Sequence, residues 1–363
     1  MKLHIPPHVE AITPYVPGKP VKEVERELGL SDTIKMASNE NPLGPSPKAI
    51  RAIRKTLPEL NIYPEGSGFY LCEALSGFYD VPPDRIILGN GSMEIIEIAA
   101  KTLLGPGSNV VISEGCFGMF RIACQTMNCE IKATPMRART HDLEAMQKAV
   151  DDRTRLMLIA SPNNPTGTYN THAEVASLME RVPEHVLVIV DEAYKEFVDK
   201  KDYWSCLDLL PRFHNLMVLG TFSKAYGLAG LRIGYGFAQP EVITTLHKIR
   251  SPFNTSVPSQ VAGIAALGDQ RFVRRYVKVN RAERDFVCAE LQKMGVVATP
   301  TVTNFVLMDA PMGGRAFFER MLLEGVIVRP MGGWGFPESV RVTFHVREGN
   351  ERFLAATKKV LGR

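Results

Sequence analysis

The sequence predicts an α/β fold: a large unit with a mostly parallel sheet flanked by helices, and a smaller α+β unit beside it. Three observations carry this. From about residue 85 onward, short β-branched apolar runs at 109–113, 155–161, 185–190 and 215–219 alternate with polar or glycine-containing turns and helical patterns. These runs are continuous rather than alternating, as strands covered on both faces require. Near residue 270 the pattern changes to a long charged amphipathic stretch, 271–294, ended by Gly295 at the position where a helix stops. After it, strand-like runs at 303–308, 326–329 and 340–344 alternate with helical ones at 314–323 and 350–361.

The 363 residues suit roughly two domains at ~100–200 residues each. Residues 1–38 mix prolines, charges and one helical pattern at 21–30, which reads as an arm lying on a larger body. The expected division is an arm at 1–45 that joins the small unit, a large unit at 46–268 and the small C-terminal unit at 269–363. Hydrophobic residues at 45% and charged residues at 23% argue against disorder, a collagenous repeat or a disulfide scaffold. Lys+Arg 43 against Asp+Glu 39 gives +4, with the positive residues scattered, which speaks against a nucleic-acid binder. Six cysteines include no C-x-x-C pair, so neither a metal site nor a dithiol motif is expected. The N-terminus lacks an apolar signal core, and no run of ~18 apolar residues exists. No membrane partner is expected, and the cytoplasm is the expected compartment.

In open α/β sheets ligands bind outside the carboxyl ends of the strands, so the residues after each apolar run are informative. The run at 155–160 leads into Ser161-Pro162-Asn163-Asn164-Pro165-Thr166-Gly167, and the run at 185–190 into Asp191-Glu192-Ala193-Tyr194. The third, 215–219, leads into a segment holding Thr221, Ser223, Lys224 and Arg232. Taken singly each piece is ordinary: Asn-Pro-Thr-Gly makes turns, an aspartate caps helices, and Ser-Lys sits in solvated loops. Their joint placement on successive strand ends points to a site.

A fourth strand end, 86–88, leads through Gly89-Asn90-Gly91-Ser92-Met93-Glu94 into an apolar helical pattern reaching Leu104. A glycine turn that opens a helix offers backbone N–H groups and a positive dipole end to a phosphate. Glu94 stands where a dinucleotide fingerprint needs its third glycine, so a monophosphate fits better. Thr221, Ser223 and Arg232 complete such a site with two hydroxyls and a guanidinium.

On these residues the chain resembles the fold-type I pyridoxal-phosphate enzymes, and within them the class I/II aminotransferases, over 12–361. A narrower resemblance, to the histidinol-phosphate aminotransferase subfamily, is carried by Ile12-Thr13-Pro14-Tyr15-Val16-Pro17-Gly18-Lys19, the segments 38–47 and 325–330, and Tyr63-Pro64. The resemblance implies a seven-stranded sheet in the large domain and pyridoxal 5'-phosphate as cofactor. It implies that Lys224 bonds the cofactor aldehyde and later shuttles the substrate proton, and that Asp191 keeps the pyridine nitrogen protonated. Tyr194 and Asn164 would lie near the ring's phenolic oxygen, and Phe117 would stack on the ring face. The phosphate cup would comprise the amides of Ser92 and Met93, the hydroxyls of Thr221 and Ser223, and Arg232. Tyr63 matches a tyrosine that reaches the neighbouring subunit's phosphate, implying a homodimer with shared active sites.

Substrate recognition falls by the same resemblance to Tyr15, Asn39, Asn164, Arg329 and Arg341. The substrates implied are an amino donor and a 2-oxo acid acceptor: glutamate gives its amino group, and imidazole-acetol phosphate becomes histidinol phosphate. An aromatic amino-acid aminotransferase and a threonine-phosphate decarboxylase are the competing enzyme readings, and a binding module on the same fold is the non-enzyme one. The stretch Thr13-Pro14-Tyr15-Val16-Pro17-Gly18 is unlike the glycine-rich start of the decarboxylases, and the joint presence of Lys224, Asp191 and Tyr194 opposes the binding module. Three departures from the family pattern bear on substrate choice rather than on cofactor chemistry. Met93 stands where acidic residues are common, Phe120 where tyrosine is usual, and Thr343-Phe344-His345-Val346 where a small Gly-Thr segment is common. His345, at a strand end, reads as structural.

Overall fold

In chain order the strands are Ile34–Lys35 (β1), Ile86–Gly89 (β2), Asn109–Ser113 (β3), Glu130–Thr134 (β4), Met136–Arg137 (β5), Thr140–His141 (β6) and Thr154–Ala160 (β7). Then follow Leu187–Asp191 (β8), Leu216–Thr221 (β9), Gly234–Phe237 (β10), Phe305–Asp309 (β11), Val326–Ile327 (β12), Arg329–Met331 (β13) and Phe336–Thr343 (β14). They come from a computed structural model that describes residues 3–362; residues 1, 2 and 363, included in the expected unit bounds, lie outside the described part.

Seven strands form the main sheet in the order β2-β10-β9-β8-β7-β3-β4. β10 runs antiparallel to both of its neighbours, and the other pairs are parallel. The period-two geometry of a strand divides each apolar run between two cores. Met157, Ile159, Val188 and Val190 face one helix layer, while Leu156, Leu158, Leu187 and Ile189 face the other. The first layer includes the helices Phe69–Tyr79 and Val257–Leu267; the second includes Ser92–Leu103 and Gly118–Gln125. Burial on both sides is why these runs contain no polar alternation.

A three-stranded antiparallel sheet, β11-β14-β13, packs with the helices Gly314–Leu323 and Arg347–Leu361 into a separate apolar cluster that includes Phe317, Val342 and Phe353. The arm joins this cluster: β1 pairs in parallel with β12, and Val24 and Met36 are buried there. Helix Gln270–Lys293 spans both regions. Its buried residues Val273, Tyr276, Asn280, Glu283, Val287 and Leu291 recur at three- and four-residue intervals, one face of a helix. Val273 and Tyr276 belong to the main core, Val287 and Leu291 to the smaller one. Among the described residues no helix is long and apolar enough to cross a membrane.

Several details differ from the sequence reading. The single strand expected at 326–329 is two strands in different sheets: β12 pairs with the arm, while Arg329 turns to pair with Arg341 in β14. Pro330, which has no N–H to donate, lies at the edge of its sheet beside a register shift. β14 starts at Phe336, four residues before the expected 340, despite Pro337. β10 was not anticipated, because Gly234-Tyr235-Gly236-Phe237 is short and half glycine. The arm helix covers Val21–Leu28 and stops at Gly29, which takes a left-handed conformation.

Ile189 is fully buried in β8, the central strand of this sheet. Ile189→Ala is expected to lower the unfolding free energy by about 2–5 kcal/mol through lost burial and a residual cavity. A drop in the urea midpoint followed by circular dichroism checks it; an unchanged midpoint would contradict the packing described.

Candidate active site

The parallel strands β2, β7, β8 and β9 deliver their carboxyl ends to one rim. Asp191 pairs with Ala160 across β7–β8, and Gly234 of β10 sits between Gly89 and Thr221. Asp191 and Thr221 are the last residues of their strands rather than loop residues, because the ladder extends past the expected ends at 190 and 219. Inside the rim lies a cavity of about 270 Å³ that brings together Ser92, Met93, Phe117, Asn164, Asp191, Tyr194, Thr221, Ser223, Lys224 and Arg232.

At one end of the cavity helix Ser92–Leu103 begins, directing its unpaired first amides and positive dipole end into the site. Gly91 precedes it with φ +76°, and a side chain there would run into the Arg232 guanidinium. A side chain at Gly234 would likewise meet the Ser92 amide, so β10 has to present glycine at this point. Thr221 Oγ1 donates to Ser223 Oγ at 2.9 Å, and Arg232 Nη1 reaches the same oxygen at 3.4 Å. Two hydroxyls, a guanidinium and a helix start thus converge from three strand ends.

Asp191 is buried deeper in the cavity and accepts the Ala193 N–H at 3.0 Å. Burial pushes its carboxyl up to about 7, with the Glu192 charge adding to the effect and Lys224 opposing it. Lys224 Nζ lies 5.7 Å from the Tyr194 ring centre and donates to the Ser38 carbonyl at 3.3 Å. Burial lowers this amine to about 7, assisted by Arg341 and Arg232 and opposed by Glu40 and Asp191. The Tyr194 hydroxyl accepts from Asn39 Nδ2 at 2.8 Å, and burial raises it to about 12. Asn39 holds its place through Thr343: its N–H donates to Thr343 Oγ1 at 2.9 Å, and that hydroxyl returns to Asn39 Oδ1 at 3.1 Å.

Arg341, on β14, borders the cavity through Asn164. Its Nη1 donates to Asn164 Oδ1 at 2.5 Å and its Nη2 to the Ala37 carbonyl at 2.6 Å, while its buried Nε has no partner among the described residues. Burial lowers its pKa to about 10. Arg329 donates to the Val16 carbonyl and lies 5.1 Å from the Tyr15 ring centre, beside the cavity rather than within it. Tyr63 does not line the cavity at all. It is 78% exposed and stacks on Phe253 at 4.8 Å.

Of the three departures from the family pattern, Phe120 is fully buried and meets Phe117 edge-on at 5.7 Å, so it buttresses that ring. Met93 is half-buried against the core beneath helix Ser92–Leu103. His345 packs its ring on Gly349, and its backbone N–H donates to Asn350 Oδ1 at 2.8 Å, as a structural residue's would. The sequence reading missed Trp334, whose ring lies 5.4 Å from Phe117 and 5.9 Å from the Arg341 guanidinium. One of only two tryptophans, in a glycine-rich turn five residues after Arg329, was the available signal. Ser38 and Glu40 of the arm also line the cavity and were not singled out.

This donor set fits pyridoxal phosphate at each end. Hydroxyls, guanidinium and helix start suit a phosphate dianion. A carboxyl driven toward protonation by burial suits a cationic ring nitrogen, which restores its charge. A lysine amine that burial lowers to about 7 has a substantial neutral fraction near that pH, which suits an aldehyde.

The model of the aminotransferase class I and II family matches residues 31–356. The histidinol-phosphate aminotransferase of Anaeromyxobacter sp. (strain Fw109-5) is 44% identical over 99% of this chain and 99% of its own length. Histidinol-phosphate aminotransferase 1 of Nitrosococcus oceani is 45% identical, over 97% of this chain and 95% of its own. Among solved structures, the histidinol-phosphate aminotransferase from Sinorhizobium meliloti in complex with pyridoxal-5'-phosphate superposes with a TM-score of 0.91. It is 26% identical and covers 100% of this chain and 98% of that one. Aspartate aminotransferase from Thermus thermophilus with maleate shares the fold, with a TM-score of 0.86 at 22% identity, over 99% and 100% of the two chains.

In cofactor-free protein, acylation of Lys224 by a pulse of an amine-specific reagent is expected to be half-maximal near pH 7. The neutral amine reacts, so labelling falls below that pH and saturates above it. Peptide mapping that shows Lys224 titrating with surface lysines, at about pH 10, would contradict the electrostatics of the pocket.

Proposed function

The chain belongs to the aminotransferase class I and II family, and we propose that it exchanges an amino group between histidinol phosphate and 2-oxoglutarate. In the biosynthetic direction it makes histidinol phosphate from imidazole-acetol phosphate and glutamate, as a step of histidine biosynthesis. The observation that carries this reading is full-length similarity, at 44–45% identity, to proteins named histidinol-phosphate aminotransferase. Pyridoxal phosphate is the cofactor. When bound, it supplies an electron sink for the bonding pair released at the substrate carbon.

In this reading the protein supplies the rest. Lys224 Nζ, whose charged form burial disfavours, takes the proton from the substrate carbon and returns it at the next position. Asp191 holds the ring nitrogen's proton, and Tyr194 with Asn164 adjusts the phenolic oxygen. Phe117 covers one ring face. Ser92, Met93, Thr221, Ser223 and Arg232 hold the cofactor phosphate. Tyr15, Asn39, Asn164, Arg329 and Arg341 orient the anionic substrate; a planar guanidinium suits both carboxylate and phosphate.

Exposed Tyr63, set outside its own chain's cavity, supports a homodimer in which it completes the partner's site. The separate apolar cluster around β11–β14 supports units at 1–45 with 269–363 and at 46–268, although the start of helix Gln270–Lys293 packs on the large one. Six free thiols fit the reducing cytoplasm.

The test is a substrate panel with 2-oxoglutarate as acceptor: histidinol phosphate, phenylalanine, tyrosine and phosphothreonine. Histidinol phosphate is expected to show a kcat/KM at least ~10-fold above every other donor. A higher value for phenylalanine or tyrosine, or carbon dioxide release from phosphothreonine, would replace this reading.

A further inference from the structure

Arg341 stands on a strand face that is anchored on both sides of it. Side chains alternate along a strand, so Ser339, Arg341 and Thr343 of β14 share one face, while Val340 and Val342 enter the small core. All three polar residues are buried. On one side Thr343 is held through Asn39. On the other, Ser339 donates at 2.5 Å to Asp309 Oδ1, its partner across β11–β14, and Arg139 Nη2 donates to both oxygens of that carboxylate at 2.9 and 2.7 Å. Arg139 Nη1 adds a bond to Thr299 Oγ1 at 2.8 Å.

Arg139 comes from the large region, at the tip of the β5–β6 hairpin. The register Met136↔His141 and Arg137↔Thr140 leaves Ala138 and Arg139 in the turn, with φ of +48° and +62°. Such two-residue turns favour Asn-Gly or Gly-Gly, because a side chain at positive φ crowds its own backbone. Alanine followed by arginine is a poor choice for the turn itself, and a residue in this conformation persists where surrounding contacts hold it. Arg139 has such contacts at both ends. Its carbonyl closes a one-way chain of hydrogen bonds, each 2.8 Å long, from Asn163 Nδ2 to Thr166 Oγ1, to Thr168 Oγ1, to Arg139 O. Asn163 directly precedes Asn164, the acceptor for Arg341 Nη1. The backbone of Arg139 thus steadies the loop that carries Asn164, and its guanidinium steadies the strand that carries Arg341.

We propose that Arg139 is a positioning residue for the reaction: it sets where Arg341 stands relative to Asn164, and so how tightly an anionic substrate is held. The inference rests on the role proposed above for Arg341 and deepens it.

The test follows the half-reaction of the holoenzyme with glutamate by cofactor absorbance, a step independent of the acceptor. Glycine suits a positive φ, so Arg139→Gly keeps the turn and removes the guanidinium. It is expected to raise the glutamate concentration for half-maximal rate roughly 10-fold, with the maximal rate within about 3-fold. Asp309→Asn, which leaves the hairpin untouched, gives the same shift, and the double variant is no worse than the worse single one, because both remove one pair. Arg139→Lys recovers part of the loss. A second readout needs no turnover: by isothermal titration calorimetry, the Kd of glutarate, which is glutamate without its amine, rises by the same factor in both single variants. The absorbance of the bound cofactor and its pH titration stay as in the wild type. Unchanged half-saturation and glutarate affinity in both single variants, a fall in maximal rate alone, or additive effects in the double variant would each overturn the role of Arg139. Failure of the wild type to use histidinol phosphate would overturn the proposed substrate instead, and the glutamate and glutarate measurements would still decide the role of Arg139.

Discussion

The site depends on holding a carboxyl and an amine, Asp191 and Lys224, together in a pocket that favours neither charge. Burial moves Asp191 up to about 7 from 3.8 and Lys224 down to about 7 from 10.5. Both shifts oppose folding at neutral pH, and their signs can be followed separately. A carboxyl raised in the folded state loses stability as pH rises from 3.8 toward 7; an amine lowered in the folded state loses it as pH falls from 10.5 toward 7. A cofactor that brings a cationic nitrogen to one group and an aldehyde to the other relieves both, so its binding and the stability of the fold are linked. The two buried cores on either side of the sheet keep these groups in place.

The second constraint is that Arg341, the arginine proposed to orient the substrate, arrives from a different part of the chain. Arg341 stands on β14, and its contacts with Asn164 and the Ala37 carbonyl draw the small sheet, the main sheet and the arm to one point. Two residues earlier, Ser339 donates to Asp309, which also receives both oxygens' worth of bonding from Arg139 Nη2, at 2.9 and 2.7 Å. Arg139 lies in the turn between β5 and β6, so that hairpin ties the large region to the strand that carries Arg341. The position of Arg341 is therefore a property of how the two regions dock. The residues proposed to hold the cofactor phosphate, in contrast, flank strands of the main sheet.

That difference explains what the sequence made readable. Asp191, Thr221, Ser223, Lys224 and Asn164 follow long apolar strands, and the ends of such strands can be located from local pattern. β10 could not be, because Gly234 and Gly236 give a strand no apolar signature, although their missing side chains are what let the Ser92 amide and the core side chains of β2 and β9 approach. The run at 326–329 is uniformly apolar up to Arg329, and its division between two sheets is set by pairing with Ile34 and Arg341, distant partners that no local window contains. Trp334 acquires meaning only when the arm and the small sheet bring Tyr15, Phe117 and Arg341 to it.

The central claim is that Asp191 is the counter-charge of the cofactor ring. Nitrogen-15 NMR of the holoenzyme, loaded with pyridoxal phosphate labelled at the ring nitrogen, tests it directly at about pH 8. The expected result is a protonated ring nitrogen in the wild type and a neutral one in Asp191→Asn. A neutral ring nitrogen in the wild type would contradict the account.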